Sequence, residues 1–460
     1  MKVELAGMNI DIELVKEIER QDLATPETIS AAYARISRSQ KDVTSLRLDA
    51  LNEVEKARQS NSNIIYDMGH SSIAEHAVFN FDLIGISRLM SELIHRSRLA
   101  SFTEKSQRYV TLKGDYHIPE EIKNNDKLCD EFNKMISKQN DLYQFLYQKA
   151  VEYLEQTGFE GKKRELEGKA KEDARYVLSL STITQMGITV NGRSLEKMLQ
   201  RLDKSTLIEA KMLRQEIEQQ VKPIAPSLIK YTKADTFGAA VTDIPKIYDK
   251  QTIRAKLIDI SIDPERKILI AHLMDESGYS FSQAKSIVTQ MDEQQISESY
   301  RKIFKGLKGY HSLPRSFEMC DLSFDLSMSS SCFAQLKRHR MASIFKTNYH
   351  PGMAYSIPPL LQKLNVEKEI TEVMEISANL YEKFETLKFG LGAYCMTNAH
   401  HLNVLMKCNL RELYHFVRLR SDNHSQWEIK QISDEIMEIV KGYLPNATTA
   451  MSGKDGYNQF

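Results

Sequence analysis

The 460-residue chain has no surplus of charge, because 62 Lys and Arg balance 62 Asp and Glu. It therefore has no broad field for gripping nucleic acid or an anionic membrane, and no basic stripe marks a nucleic-acid-binding module. A local cluster of arginines can still hold a small anion. No apolar run approaches the roughly 20 residues of a membrane span. The opening MKVELAGMNI lacks the basic region and long apolar core of a signal peptide. The five cysteines, Cys129, Cys320, Cys332, Cys395 and Cys408, form no C-x-x-C pair and no even disulfide framework. These absences predict a cytoplasmic protein with neither membrane nor nucleic acid as partner.

At 460 residues the chain exceeds one typical core, so two domains are expected. Hydrophobic content of 42% beside 27% charged residues is that of a globular protein. Residues 205–222 place apolar groups three and four apart and stop near Pro223, which predicts a helix. Residues 129–157 and 367–388 read alike. Strand alternation appears over 77–86 (AVFNFDLIGI) and 321–328 (DLSFDLSM). Each half mixes both elements, so the class is α/β or α+β.

One segment is present twice. Residues 96–109 read RSRLASFTEKSQRY and residues 338–350 read RHRMASIFKTNYH. Phe81-Asp82-Leu83 precedes the first and Phe324-Asp325-Leu326 the second. Farther on, Asn191-Gly192-Arg193-Ser194-Leu195 is echoed by Asn409-Leu410-Arg411-Glu412-Leu413. The offsets are 338 − 96 = 242 and 409 − 191 = 218 positions. A period this long suits whole domains rather than solenoid units. It predicts a first repeat over 1–240 and a second over 241–460, joined near 233–250 without a low-complexity linker. Duplication of a whole domain commonly replaces a homodimer by a pseudo-symmetric chain.

Arg338-His339-Arg340 is a dense set of donors, suited to a pyrophosphate or nucleotide. In Glu104-Lys105-Ser106-Gln107-Arg108, an extended backbone would turn the carboxylate, hydroxyl and guanidinium to one side. Either feature alone is more often a solvated surface. Together with their surroundings they carry a resemblance. RSRLASFTEKSQRYV resembles the signature of the flavin-dependent thymidylate synthases, R-H-R-x-x-S-x-x-E/Q-x-S-x-R. Gly69 to His76 (GHSSIAEH) resembles the family's GHxSxxEH segment, Asn191-Gly192-Arg193 its N-x-R flavin segment, and residues 409–430 its C-terminal signature. The resemblance implies two tandem copies of the family fold, each a mixed, mainly antiparallel sheet with long helices. It also makes His70, Glu75 and His76, which lack a third ligand, structural or flavin-side groups, so no metal is expected.

The two copies depart from the signature in opposite ways. The first keeps Glu104, Ser106 and Arg108, and Arg175 in its DARYVL segment, but has Leu93 for the glutamine and Ser97 for the histidine. Arg201 stands near the late-arginine position, one residue out of step from Asn191. The second keeps Gln335, Arg338, His339, Arg340 and Arg420, but has Lys346, Asn348, His350 and Ala393 for the Glu, Ser and two arginines. The losses are complementary, so one side from each repeat makes a full set. This predicts a homodimer acting as a pseudo-tetramer with two intact sites.

The resemblance implies methylation of dUMP at C5, with methylenetetrahydrofolate giving the carbon, FAD the hydride, and NADPH or another reductant reloading the flavin. It assigns Arg108, Arg175 and Arg338 to the dUMP phosphate, and Glu104, Ser106, Gln107 and Gln335 to orienting the nucleotide. Arg420 would act catalytically by favouring the N3-ionised uracil. Arg338, His339, Arg340, Glu104, Asn409, Arg411 and His415 would line the flavin, with Ser72, Asn191 and Arg193 as a second flavin-side group. None of the cysteines stands in a segment resembling the nucleophile of the folate-only thymidylate synthases. Two alternatives keep the chemistry of the motifs: a methylase of another pyrimidine nucleotide such as UMP, and a non-catalytic flavin- or nucleotide-binding relative.

Overall fold

The computed structural model describes residues 1–16, 24–110, 112, 114–235, 237 and 253–459. The expected join at 233–250 falls mostly outside the described residues. Two compact units lie within residues 1–246 plus 360–397 and within 247–359 plus 398–460.

Each unit is built on a four-stranded antiparallel sheet. The first runs β1 (Lys2–Met8), β2 (Val78–Ser87), β4 (Ile183–Asn191), β3 (Ala100–Glu104). The second runs β5 (Ala255–Ile260), β6 (Asp321–Ser329), β8 (His401–Asn409), β7 (Ser343–Lys346). The order is the same, so the α+β fold occurs twice. The alternation read from sequence has its cause here: Phe79, Phe81 and Leu83 of β2 are buried, while Asn80 and Asp82 between them are exposed. Phe81 lies opposite Ile188 and Phe324 opposite Met406, and each such buried side chain contributes about 2 kcal/mol.

Helices Gly192–Lys204 and Ile208–Val221 pack on the first sheet, with Leu195, Leu199, Leu213 and Ile217 buried. Helices Leu410–Arg420 and Trp427–Tyr443 do the same in the second, with Leu413, Phe416, Ile432 and Ile436 buried. The expected helices appear as Asp126–Gln156, Ile208–Val221 and Glu367–Leu387. Glu367–Leu387 belongs to the second repeat in sequence and to the first unit in space. There Phe384 stacks on Phe132 at 5.5 Å and Gln139 Nε2 donates to Ser377 Oγ at 2.9 Å. The first repeat inserts helix Lys163–Ala174 before its 3-10 turn Arg175–Val177, where the second goes straight to turn Leu391–Cys395. The offset between repeats falls from 242 to 218 across this region.

A buried carboxylate sets the chain's exit from the sheet in each unit. Glu209 accepts from Ser87 N and Ser87 Oγ, both at 2.7 Å, while Ser87 Oγ caps helix Arg88–Ile94 at Met90 N. Glu428 accepts from Ser329 N at 2.9 Å, and Ser329 Oγ caps helix Ser330–Leu336 at Cys332 N. Each helix delivers the chain to its Arg-x-Arg segment.

Candidate functional site

In the first unit, β3 ends at Glu104. Lys105 N still reaches Gln185 O at 2.9 Å, but Ile183 N is taken by Asp115 O at 3.1 Å. With no further ladder, residues 107–109 turn, and Val110 N closes on Ser106 O at 3.2 Å. The extended face expected over 104–108 is therefore interrupted after Glu104, and the turn redirects Arg108. Gln107 is buried within this turn, and Ser106 Oγ accepts from Arg108 N at 3.2 Å.

The turn brings Arg108 to helix Lys163–Ala174, where its guanidinium pairs with the Glu172 carboxylate. Arg175 Nε donates to Glu172 O at 3.1 Å. Glu172 thus joins the two arginines expected at a phosphate. Arg175 is 4% exposed, and burial holds its pKa below the ordinary value. Glu172 opposes that shift, while Arg108 and Arg88 add to it. Arg88 is itself buried, donating to Ser91 Oγ at 3.0 Å and lying 3.6 Å from Glu92. Glu104 lies 4.0 Å from His95 Nε2. Sequence reasoning missed Arg88, Glu92, His95 and Glu172. The available signal was that Arg88 stands where the second repeat has Ser330.

In the second unit, helix Leu410–Arg420 carries Arg420 against the turn holding His339. Arg420 Nε donates to His339 Nε2 at 2.9 Å, Nη1 to Gln335 Oε1 at 3.3 Å, and Nη2 to Gln335 O at 3.0 Å. Three expected site residues are thus joined by direct bonds. His339 is buried, which pushes its pKa down to about 3, with Arg420 and Arg338 adding to the effect. Arg338 is exposed and Arg340 half-buried beside it.

Asn409, Arg411 and His415 meet at a cavity of about 300 Å³, lined also by Arg315, Glu412 and Arg418. Asn409 caps its helix by accepting from Glu412 N at 2.9 Å. Arg411 donates to Leu313 O and pairs with Glu318 at 3.0 Å, and Arg315 pairs with the same carboxylate at 3.0 Å. Arg418 donates to Gly309 O and His311 O, both at 2.8 Å. Three guanidiniums with Glu318 and Glu412 leave one positive charge. A small, donor-rich wall of this kind fits the phosphate-bearing part of a dinucleotide.

The remaining expected residues gather elsewhere in the first unit. Asn191 Oδ1 caps its helix at Ser194 N (2.8 Å), and Arg193 pairs with Glu75 at 2.6 Å. Ser72 is exposed on the 3-10 turn Ser71–His76. Arg201, left in doubt by its spacing, donates to Ser97 Oγ. Ser97 is the counterpart of His339, so Arg201 makes the contact that Arg420 makes in the other repeat. Burial, then Arg96, lowers its pKa to about 10. Among the described residues no group of three or more His, Cys, Asp or Glu could hold a metal, and no helix is long and apolar enough to cross a membrane.

Two copies of one α+β fold, each with its own arginine cluster, define a tandem-repeat protein. The sequence pattern of the family described as Thymidylate synthase complementing protein matches residues 20–227 and 256–446, and the chain belongs to that family. A UPF0159 protein of Thermoplasma acidophilum is 23% identical over 438 residues, covering 83% of this chain and 86% of its own. The flavin-dependent thymidylate synthase of Clostridium tetani is 35% identical over 211 residues, 45% of this chain and 82% of its own. Among solved structures, the UMP/dUMP methylase PolB from Streptomyces cacaoi, bound with 5-Br dUMP, aligns at 19% identity and a TM-score of 0.35, over 49% of this chain and 92% of that one.

Proposed function

We propose that the chain is a flavin-dependent thymidylate synthase, converting dUMP to dTMP with methylenetetrahydrofolate as carbon donor and NADPH or another reductant. The observation that carries this reading is the complementary pair of clusters. The first unit holds Arg108 on the Glu172 carboxylate and Arg175 on the Glu172 main-chain carbonyl, beside Glu104, Ser106 and Gln107. The second holds Arg420 bonded to His339 and Gln335, beside Arg338 and Arg340. Neither set is complete alone, and a complete set takes one of each kind.

The residues then divide the work. Arg108, Arg175 and Arg338 fix the nucleotide phosphate through charge-assisted bonds. Glu104, Ser106, Gln107 and Gln335 orient the base and sugar. Arg420, with its guanidinium held by His339 and Gln335, stabilises negative charge on the uracil ring and so favours electron density at C5. Asn409, Arg411 and His415, with His339 and Arg340, would hold FAD, which when bound and reduced supplies the hydride. Ser72, Asn191 and Arg193 form a second flavin-side group. The working protein is a homodimer acting as a pseudo-tetramer.

The test is bound FAD per chain together with dUMP-to-dTMP turnover, on wild type, Arg108→Ala and Arg420→Ala, with UMP run in parallel. Each single variant is expected to be inactive. Mixing the two, with subunit exchange verified, restores activity where complete sets join different chains. Flavin binding without dTMP formation would sink the synthase reading, and turnover of UMP alone would transfer it to that nucleotide.

A further inference from the structure

The repeats differ at two positions that face each other. His339 and Glu412 of the second repeat correspond to Ser97 and Ser194 of the first, at 339 − 97 = 242 and 412 − 194 = 218 positions. Both members of the pair are absent from the first repeat, while the frame beneath them is present in both. Asn409 caps Glu412 N at 2.9 Å as Asn191 caps Ser194 N at 2.8 Å. The arginine above them is also present in both, Arg420 on His339 and Arg201 on Ser97. What distinguishes the second repeat is an imidazole with a carboxylate behind it.

Accepting from Arg420 Nε requires a lone pair on His339 Nε2, so the ring proton sits on Nδ1. Nδ1 is buried and makes no hydrogen bond of its own, and the Glu412 carboxylate lies 3.5 Å from it. The Phe416 ring, edge-on at 4.9 Å, fixes the imidazole plane but cannot choose a tautomer. In the other tautomer an Nε2–H would confront the Arg420 N–H, donor against donor, and push the guanidinium away.

We infer that Glu412 is a positioning residue: it holds His339 in the Nδ1–H form, so that Nε2 stays an acceptor and the Arg420 guanidinium stays aimed at its ligand. A partner behind an imidazole commonly sets which nitrogen carries the proton and which way the ring faces. The functional consequence rests on the proposed role of Arg420 at the uracil ring; the tautomer itself does not.

The experiment is nitrogen NMR on protein labelled with 15N-histidine, with His339 assigned from His339→Asn, for wild type, Glu412→Ala and Glu412→Gln. Wild type is expected to show a protonated Nδ1 and a pyridine-like Nε2. Glu412→Ala shifts His339 toward the Nε2–H form. Glu412→Gln, whose amide oxygen can still accept, stays close to wild type. The Asn409 cap meets the main chain of residue 412, so the alanine variant keeps its helix start. In parallel, dUMP affinity falls about tenfold in Glu412→Ala, as for one misaimed charge-assisted hydrogen bond, and about threefold or less in Glu412→Gln. A wild-type Nε2–H ring, or an alanine variant with an unchanged tautomer, overturns the inference. Failure of wild type to bind dUMP would count against the proposed function, while the nitrogen spectra would still decide the role of Glu412.

Discussion

Arg420→Lys separates the shape of the late arginine from its charge. Arg420 donates from all three of its guanidinium nitrogens within its own unit: Nε to His339 Nε2 at 2.9 Å, and the fork to Gln335 Oε1 and Gln335 O at 3.3 and 3.0 Å. These bonds hold the guanidinium plane before any ligand arrives. A lysine keeps the charge but has one ammonium on a flexible stem, and it serves at most one of these acceptors in the same geometry. Two bonds are lost, each worth about 1 kcal/mol net, so the unit should lose about 1–3 kcal/mol of stability. If the fork is also what orients the uracil ring, about 2–3 kcal/mol of transition-state stabilisation goes with it. That corresponds to a fall of about 30- to 150-fold in kcat/KM for dUMP. Steady-state turnover with saturating folate and reductant reads the second effect, and a urea titration reads the first. FAD content is measured alongside, so that a flavin-poor variant is not mistaken for a slow one. A lysine variant within about threefold of wild type, with wild-type flavin content, would refute the claim that a pre-oriented fork matters, leaving a role for charge alone.

Three other substitutions follow from the same geometry. His339 has its pKa pushed down from 6.5 to about 3, so the folded chain refuses a proton that the unfolded chain accepts. That contribution to stability is whole above pH 6.5 and is lost as pH falls toward 3. His339→Asn should accordingly flatten the dependence of unfolding free energy on pH between 4 and 6.5, by up to about 1.4 kcal/mol per pH unit; unchanged slopes in urea titrations would refute it. Asp173 is the reverse case, with burial and then Glu172 raising its carboxyl from 3.8 to about 7, so its contribution is present below 3.8 and lost as pH rises through 7. Asp173→Asn should melt higher than wild type at pH 8, with the gain shrinking toward pH 4; a lower melting temperature at pH 8 would count against this. A Cβ added at Gly192 would stand 2.8 Å from Ala74 O, a backbone atom, so Gly192→Ala should cost about 1–3 kcal/mol in a denaturant titration, and a neutral result would mean that the turn gives way.

The duplicated motifs, the long helices and the strand alternation were legible because each is a local pattern on one element. Arg201 was not. Counted from Asn191 it is one residue early, which on a helix is about 100° of rotation and 1.5 Å of rise. Counted back from the buried carboxylates the positions agree, since 209 − 201 and 428 − 420 are both 8. An arginine is long enough to absorb one residue of helix rotation, so its contact with Ser97 survives a shift that the spacing counts as a mismatch. The Glu104–Arg108 face misled for a different reason. The motif has the period of a strand, but β4 offers no further ladder partners, and the backbone turns after Ser106. Glu172 and Arg88 went unseen because they act on the motif from other elements, and only the fold brings them there.

The features present in both repeats explain how the two copies can differ at the motif residues and keep one fold. Glu27 accepts from Ser227 N at 2.8 Å, and Glu265 accepts from Asn446 N at 2.8 Å. Ser87–Glu209 and Ser329–Glu428 form a second such pair, and the Asn191 and Asn409 caps a third. Removing a buried carboxylate strands its donors, at a cost of about 1–3 kcal/mol for each donor left unmatched, which is a large share of a domain's stability. Ser106, Arg108 and Arg340 are half-buried and Arg338 is exposed, and replacing such a side chain touches the frame little. The carboxylates and caps of the frame are therefore kept in both copies, whereas a half-buried residue such as Ser106 or Arg108 can change in one copy at little cost to the fold. Stability alone has little reason to spare the half-buried Ser106 and Arg108 in the first repeat, whereas the buried Gln335 and His339 of the second also hold Arg420 in place. Under the proposed function, a selection that needs one half-set from each repeat accounts for the complementary losses.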